Sequence, residues 1–165
     1  MKQIWLAGGC FWGVEAYFQQ LRGVQSTRVG YGQGVTDQPT YQQVCTGTTG
    51  YTEVCEVTYD EKELPLTKVL EHFFRIIDPT TINRQGPDLG TQYRTGVYYS
   101  EETEKTVISD FIKKMQSQYT DPIVVEVEPV VRFFQAEDYH QKYLARIAGG
   151  YCHVNLNSAK PDECK

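Results

Sequence analysis

A short apolar run, Ile4 to Ala7, stops on Gly8-Gly9, and beyond it Phe11, Val14, Phe18 and Leu21 recur at helical spacing until Gly23. A strand, a tight turn and then a helix satisfy that pattern. Gln25 to Tyr31 reads as a second strand, so the first thirty or so residues set out a β-α-β unit. The order then returns. Val54 to Tyr59 reads as a strand with Cys55, Val57 and Tyr59 on one face. Leu66, Val69, Leu70, Phe73, Phe74 and Ile77 form one helical stripe ended by Asp78-Pro79, and Arg94 to Tyr99 reads as a strand. Two such units in succession predict an α/β (α+β) fold, a two-layer sandwich of ferredoxin-like, split βαβ type.

The rest of the chain is less regular. Gly30, Gly32 and Gly34 open a long loop that runs to about Thr52, and Gly86, Pro87 and Gly90 mark another between Thr80 and Tyr93. Ser100 is the expected N-cap of a helix with Glu101 and Glu102 in its first turn and Val107, Ile108, Phe111, Ile112 and Met115 on its buried face. A strand from Ile123 to Val127 and a helix within Ala136 to Arg146 follow. No repeat or linker divides the 165 residues, so 1–165 is expected to be a single domain, with 147–165 a flexible tail that begins near Gly149-Gly150. The chain is expected to be monomeric.

Charge and cysteine usage narrow the function. The net charge is −5, and the longest basic cluster is Lys113-Lys114, which excludes nucleic acid and an anionic membrane surface as expected partners. Five cysteines, an odd number without a CxxC spacing, exclude a fully paired disulfide framework and a structural zinc site, and no metal is expected. No apolar run approaches ~18 residues, and the N-terminus lacks the apolar stretch of a signal peptide. A cytoplasmic protein is expected, whose free thiols are buried, inert or chemically employed.

Gly8-Gly9-Cys10-Phe11-Trp12-Gly13 puts a cysteine where the strand ends and the helix begins. Unpaired N–H groups and the positive end of the helix dipole favour an anion there, so the thiol is expected to ionise more readily than a free one. The glycines permit close approach of another molecule, and Phe11 with Trp12 offers aromatic walls for a small apolar group. A buried structural cysteine beside core aromatics fits the same placement.

The segment Gly8 to Glu15 resembles the active-site signature of the A-class peptide methionine sulfoxide reductases. Further blocks resemble that family in the family's order: Pro39-Thr40-Tyr41-Gln42-Gln43-Val44-Cys45-Thr46-Gly47, Thr49-Gly50-Tyr51-Thr52-Glu53, Arg84 to Arg94, Ala136-Glu137-Asp138-Tyr139-His140-Gln141 and Gly149-Gly150-Tyr151-Cys152. The resemblance covers nearly the whole chain. It implies reduction of the S epimer of methionine sulfoxide, free or in proteins, by attack of Cys10 on the sulfoxide sulfur. Glu53 matches the family's acid, Tyr41 and Tyr93 its two site tyrosines, and Asp88 a carboxylate near the substrate. Phe11 and Trp12 would hold the substrate methyl group. The product would be methionine and a Cys10 sulfenic acid, which a second thiol condenses into a disulfide. Cys152 matches that resolving thiol, and the Cys10–Cys152 disulfide would be reopened by an external reductant, thioredoxin or, in vitro, dithiothreitol, with no bound cofactor.

Other positions are read from their context. Cys164 is a second candidate recycling thiol or a bystander in a polar segment with little reason to be buried. Cys45 is expected to pack beside the site, and Cys55 to lie in the core. His72 falls off its helix's apolar stripe and is expected to be exposed. His140 either orders the site or caps a turn, and His153 adjoins Cys152. Tyr51, Thr52, Gln33 and Pro87 depart from the family's usual residues without removing a donor or a thiol. Two other classes fit the same residues: a redox-responsive binding module that uses Cys10 and Cys152 only as sensors, and a cysteine hydrolase with a histidine base against Cys10.

Overall fold

The computed structural model describes residues 1–165. Lys2–Gly8 forms β1, Phe11–Gln19 α1 and Val24–Gly32 β2. Tyr41–Cys45 is a short helix, α2, inside the first long loop. Thr52–Tyr59 forms β3 and Leu66–Arg75 α3. A small hairpin of β4 (Arg84–Gln85) and β5 (Asp88–Leu89) interrupts the second loop. Thr95–Tyr99 is β6, Glu102–Met115 α4, Glu126–Pro129 β7, Phe133–Gln135 β8 and Tyr143–Arg146 α5.

Six strands make one sheet in the order β7-β6-β1-β3-β2-β8. The strand read from Ile4 to Ala7 is central. Leu6 pairs with Cys55 of β3 on one side and Val97 of β6 on the other, both antiparallel. β2 lies antiparallel to β3, so the first β-α-β unit is split by an intervening strand. Only β7 runs parallel to its neighbour, β6. The sheet and its helices form a mixed α/β architecture.

Side chains alternate across the pleat and sort into two unequal cores. Ile4, Leu6, Val29, Cys55, Val57 and Val97 join Val14, Phe18, Leu70 and Phe73 of α1 and α3 in the main core of 27 buried residues. Trp5, Ala7, Val54 and Tyr98 form a second cluster of 4, capped by Val130 and Phe133. Trp5 and Tyr98 put their polar ends to use there: the indole N–H donates to Glu56 (3.0 Å) and the phenol to Glu126 (2.6 Å).

Several local expectations change. Glu101, not Ser100, is the N-cap of α4: its carbonyl accepts the Glu104 N–H at 3.0 Å, and the Glu104 carboxylate reaches back to accept the Glu101 N–H at 3.0 Å. The strand expected at Ile123 begins at Glu126. The Ile123 and Val124 N–H groups are taken by the Gln116 side chain and the Pro79 carbonyl, both at 2.8 Å, and are lost to the ladder. The helix expected within 136–146 is reduced to one tight turn, Asp138–His140, and the four residues of α5. Between them Lys142 adopts φ +52°, a left-handed conformation that breaks the helix, and its N–H goes to buried Glu15 at 2.7 Å.

The tail is also not free along its length. Val154 and Ala159 are buried, Leu21 pairs with Cys164 as an isolated bridge, and Arg75 grips Glu163 through two hydrogen bonds of 2.7 and 3.0 Å. Within 147–165 the last ten or so residues are thus docked by burial and ion pairing. His72 is corrected, being only 2% exposed. Its Nδ1 meets the Tyr17 hydroxyl at 2.8 Å and its other nitrogen lies 3.7 Å from Glu163, partners that an apolar-stripe reading does not see.

Candidate active site

The β1–α1 turn sets the site's floor. Gly9 has φ +84°, and a Cβ there would stand 2.7 Å from Gln85 Cβ, so only glycine fits. The turn delivers Cys10 to the N-cap position of α1. The thiol is only 8% exposed. Burial, followed by the charge of Glu53, pushes its pKa well above the ordinary cysteine value, and the Trp12 N–H only partly opposes this. The expectation of a readily ionised thiol is thereby reversed for the resting site, since desolvation outweighs one helix-start N–H.

Glu53 stands on β3, opposite Tyr31 of β2, and is 1% exposed. Its Oε1 accepts the Phe11 N–H at 3.1 Å, one of the donors a helix start leaves unpaired, while Oε2 is buried with no partner. Burial pushes the carboxyl up to about 8, and nearby Asp88 adds to this against the Phe11 N–H. At neutral pH Glu53 is chiefly a neutral acid able to donate a proton.

Two tyrosines share this space. Tyr41 begins α2, whose start is fixed by the Thr40/Gln43 capping box and by a 3.1 Å bond from the Tyr41 N–H to Glu137. Tyr93 ends a tight turn after β5, held by Thr52, whose hydroxyl donates to the Gln92 carbonyl at 2.9 Å, and by Arg94, which donates to the Thr91 carbonyl. Burial raises both phenols, and the charge of Glu53 raises both further. They remain protonated donors. Asp88, on the β4–β5 hairpin, accepts the Tyr151 hydroxyl at 2.8 Å.

Phe11 is buried against Tyr31 and His140, with centroids 5.8 and 5.1 Å apart. Trp12 is half-buried. Its ring stacks on Tyr143 at 3.8 Å with 13° between planes, and its indole N–H donates to His140 Nδ1 at 3.0 Å. No histidine is hydrogen-bonded to Cys10, so the hydrolase pairing is not formed: His140 serves Trp12, and His153 Nε2 lies 2.8 Å from the Gly8 carbonyl. No His, Cys, Asp and Glu side chains gather into a metal-binding group of three or more.

The family profile described as "Peptide methionine sulfoxide reductase" matches residues 2–164. The chain belongs to the peptide methionine sulfoxide reductase family. A member from Clostridium acetobutylicum, MsrA, is 53% identical over 154 residues, covering 93% of this chain and 95% of that protein. The crystal structure of Mxr1 from Saccharomyces cerevisiae in reduced form superposes with a TM-score of 0.87 at 36% identity, covering 94% of this chain and 91% of that one. Mxr1 solved in complex with Trx2 gives a TM-score of 0.63 at 28% identity, with 86% and 84% covered.

Within this methionine sulfoxide reductase chain, the charges of Glu53 and Asp88 act on both Cys10 and Tyr93, and that of Glu53 acts on Tyr41 as well. Cys152 joins them. It sits half-buried beside α1, and a Cβ on Gly13 would stand 3.2 Å from its sulfur. Cys164 does not join. It is docked by Leu21 at the far end of α1, roughly 15 Å along the helix from Cys10 at 1.5 Å per residue. Cys45 is exposed rather than packed, and Cys55 is buried. Sequence reading passed over Tyr143, Tyr151 and the positioning carboxylates Glu15 and Glu137. Glu15 accepts from Thr27 and Lys142, and Glu137 from Tyr31 and Tyr41. Glu15, Glu137 and Tyr151 lie in matched blocks; nothing in the sequence marks Tyr143.

Proposed function

We propose that this chain reduces methionine S-sulfoxide, free and in proteins, to methionine, with Cys10 as nucleophile. The observation that carries the reading is Glu53: a carboxyl with an unpartnered oxygen, held largely protonated at neutral pH beside a buried thiol. The sulfoxide oxygen needs a proton as it leaves sulfur, and Glu53 supplies it, with the Tyr41 and Tyr93 hydroxyls as further donors. A neutral Glu53 also removes the charge that opposes Cys10 ionisation, so proton donor and nucleophile are coupled. Phe11 and Trp12 wall the methyl site, and Asp88 borders the substrate. The Cys10 sulfur gains the oxygen and gives two electrons to the substrate sulfur, leaving a sulfenic acid, while the proton lost by the Cys10 thiol restores Glu53.

Cys152 then resolves the sulfenic acid, and the Cys10–Cys152 disulfide is reduced by thioredoxin. The neighbour solved with Trx2 supports that partner. Cys164 stands outside the relay while its segment is docked. The electrons come from an external dithiol, so no prosthetic group is needed. A reducing, cytoplasmic compartment suits five free cysteines, and no helix is long and apolar enough to cross a membrane. We further propose a monomer of one domain, whose strand order β6-β1-β3-β2 with α1 and α3 supports the ferredoxin-like, split βαβ assignment.

The test uses purified protein, dithiothreitol and peptides carrying each sulfoxide epimer. Methionine is expected from the S epimer alone, and none from a Cys10→Ser variant. Turnover retained in that variant, or equal use of both epimers, would sink the proposal.

A further inference from the structure

The resolving step requires Cys152 to give up its proton as it attacks the Cys10 sulfenic acid, because thiolate is the nucleophilic form. In the resting structure Cys152 Sγ donates to the Val154 carbonyl at 3.2 Å. A carbonyl accepts that hydrogen bond but cannot take the proton. The basic group beside it is His153. Its Nε2 lies 2.8 Å from the Gly8 carbonyl oxygen, an acceptor only, so Nε2 carries the hydrogen and donates it. The neutral ring then presents a bare lone pair at Nδ1, and this atom is buried with no hydrogen-bond partner. Buried polar atoms are seldom left so. Cys152 Sγ and His153 Nδ1 lie 3.2 and 3.3 Å from the point where a Cβ on Gly13 would stand. Both therefore border one side-chain-free notch on the first turn of α1, within reach of each other through one water or a small rotation of the cysteine.

We propose that His153 is the general base of the resolving step, receiving the Cys152 proton at Nδ1 while the Gly8 carbonyl fixes the ring. This rests on the reading of Cys10 and Cys152 given above. The Cys152 S–H bond breaks toward Nδ1, and its sulfur forms the S–S bond as the S–O bond of the Cys10 sulfenic acid breaks. The leaving hydroxide takes the Glu53 proton and departs as water. The imidazolium releases its proton to solvent, from which Glu53 is reprotonated. Cys152 is oxidised and the Cys10 sulfur reduced to the disulfide level, with no outside oxidant or reductant.

The test is a rapid-quench single turnover of the full chain with excess sulfoxide peptide and no reductant. It follows methionine release as the first step and disulfide formation, with trapping of sulfenic acid, as the second. His153→Gln keeps a side-chain N–H for Gly8 but removes the base. It is expected to slow disulfide formation about 10²-fold relative to methionine release, so that sulfenic acid accumulates. His153→Ala is expected to show the same lag and to recover with added imidazole, which a merely structural role would not produce. Disulfide formation in the Gln variant at the unmodified rate overturns the proposal, as does equal slowing of both steps. Absence of methionine from the unmodified protein overturns instead the reading of Cys10, and this one with it.

Discussion

The two ends of helix α1 hold the same C-terminal tail in opposite ways. At the N-terminal end Tyr151 and His153 tether it by single side-chain hydrogen bonds, to Asp88 and the Gly8 carbonyl, and Cys152 rests against a residue without a side chain. At the C-terminal end the hold is multiple: a backbone bridge from Leu21 to Cys164, a bidentate Arg75–Glu163 pair, and a bond from the Arg22 side chain to the Cys164 carbonyl. A few isolated hydrogen bonds, each worth about 1 kcal/mol, can be exchanged during a reaction. A clustered set with buried apolar contacts stays closed. Position along one helix thus separates a thiol poised to move from one fastened in place.

Breaking the comparison at the reactive end gives the largest effect. Cys152→Ser is expected to release one methionine per chain and then stall with thioredoxin as reductant; continued turnover would transfer the resolving role elsewhere. Next comes the proton donor that both half-reactions share. Glu53→Gln is expected to slow methionine formation by about 10²–10³-fold, the usual cost of one transition-state donor. In the unmodified protein the same rate should fall as pH rises through about 8, where the raised carboxyl loses its proton, and the variant should lose that limb. Gly13→Ala sharpens the contrast: its Cβ would crowd Val154, Cys152 and His153 at 3.0 to 3.3 Å. Disulfide formation should slow about 10-fold while the first methionine is released normally, a split between steps that rapid-quench kinetics would read.

The smallest effects belong to the fastened end. Cys164→Ser is expected to leave thioredoxin-supported turnover within about twofold, and a stall there would establish a relay. Glu163→Gln should cost about 1 kcal/mol in denaturant unfolding, in keeping with a partly exposed charge-assisted pair. The Arg75 hydrogen bonds hold the Glu163 carboxyl down at about 2, below its unfolded value. Its contribution is therefore complete above the ordinary carboxylate range and is lost as pH falls toward 2; acid titration of stability should lose this component in the variant.

What the sequence made legible follows the same division. The strand, glycine turn and helix around Cys10 were readable because apolar periodicity and glycines act over a few residues. Glu53, Tyr41 and Tyr93 were reachable only through resemblance, since sheet register and two irregular loops bring them to Cys10. Residues that act through distant polar partners escaped. His72 was misplaced because its Tyr17 and Glu163 partners leave no periodic trace, and Lys142 broke a helix through a bond to Glu15. The ionisation of Cys10 was misjudged because a helix start is visible in sequence while the desolvation that overrides it is not.

The stack of Trp12 on Tyr143 has an optical consequence. Of the two tryptophans, Trp5 is locked inside the sheet by Glu56, whereas Trp12 shares one face with α5 and its indole N–H with His140. Movement of the 136–146 segment therefore changes the surroundings of one emitter and leaves the other as an internal standard. The difference in fluorescence between the chain and a Trp12→Phe variant turns the pocket wall into a built-in, label-free gauge of occupancy.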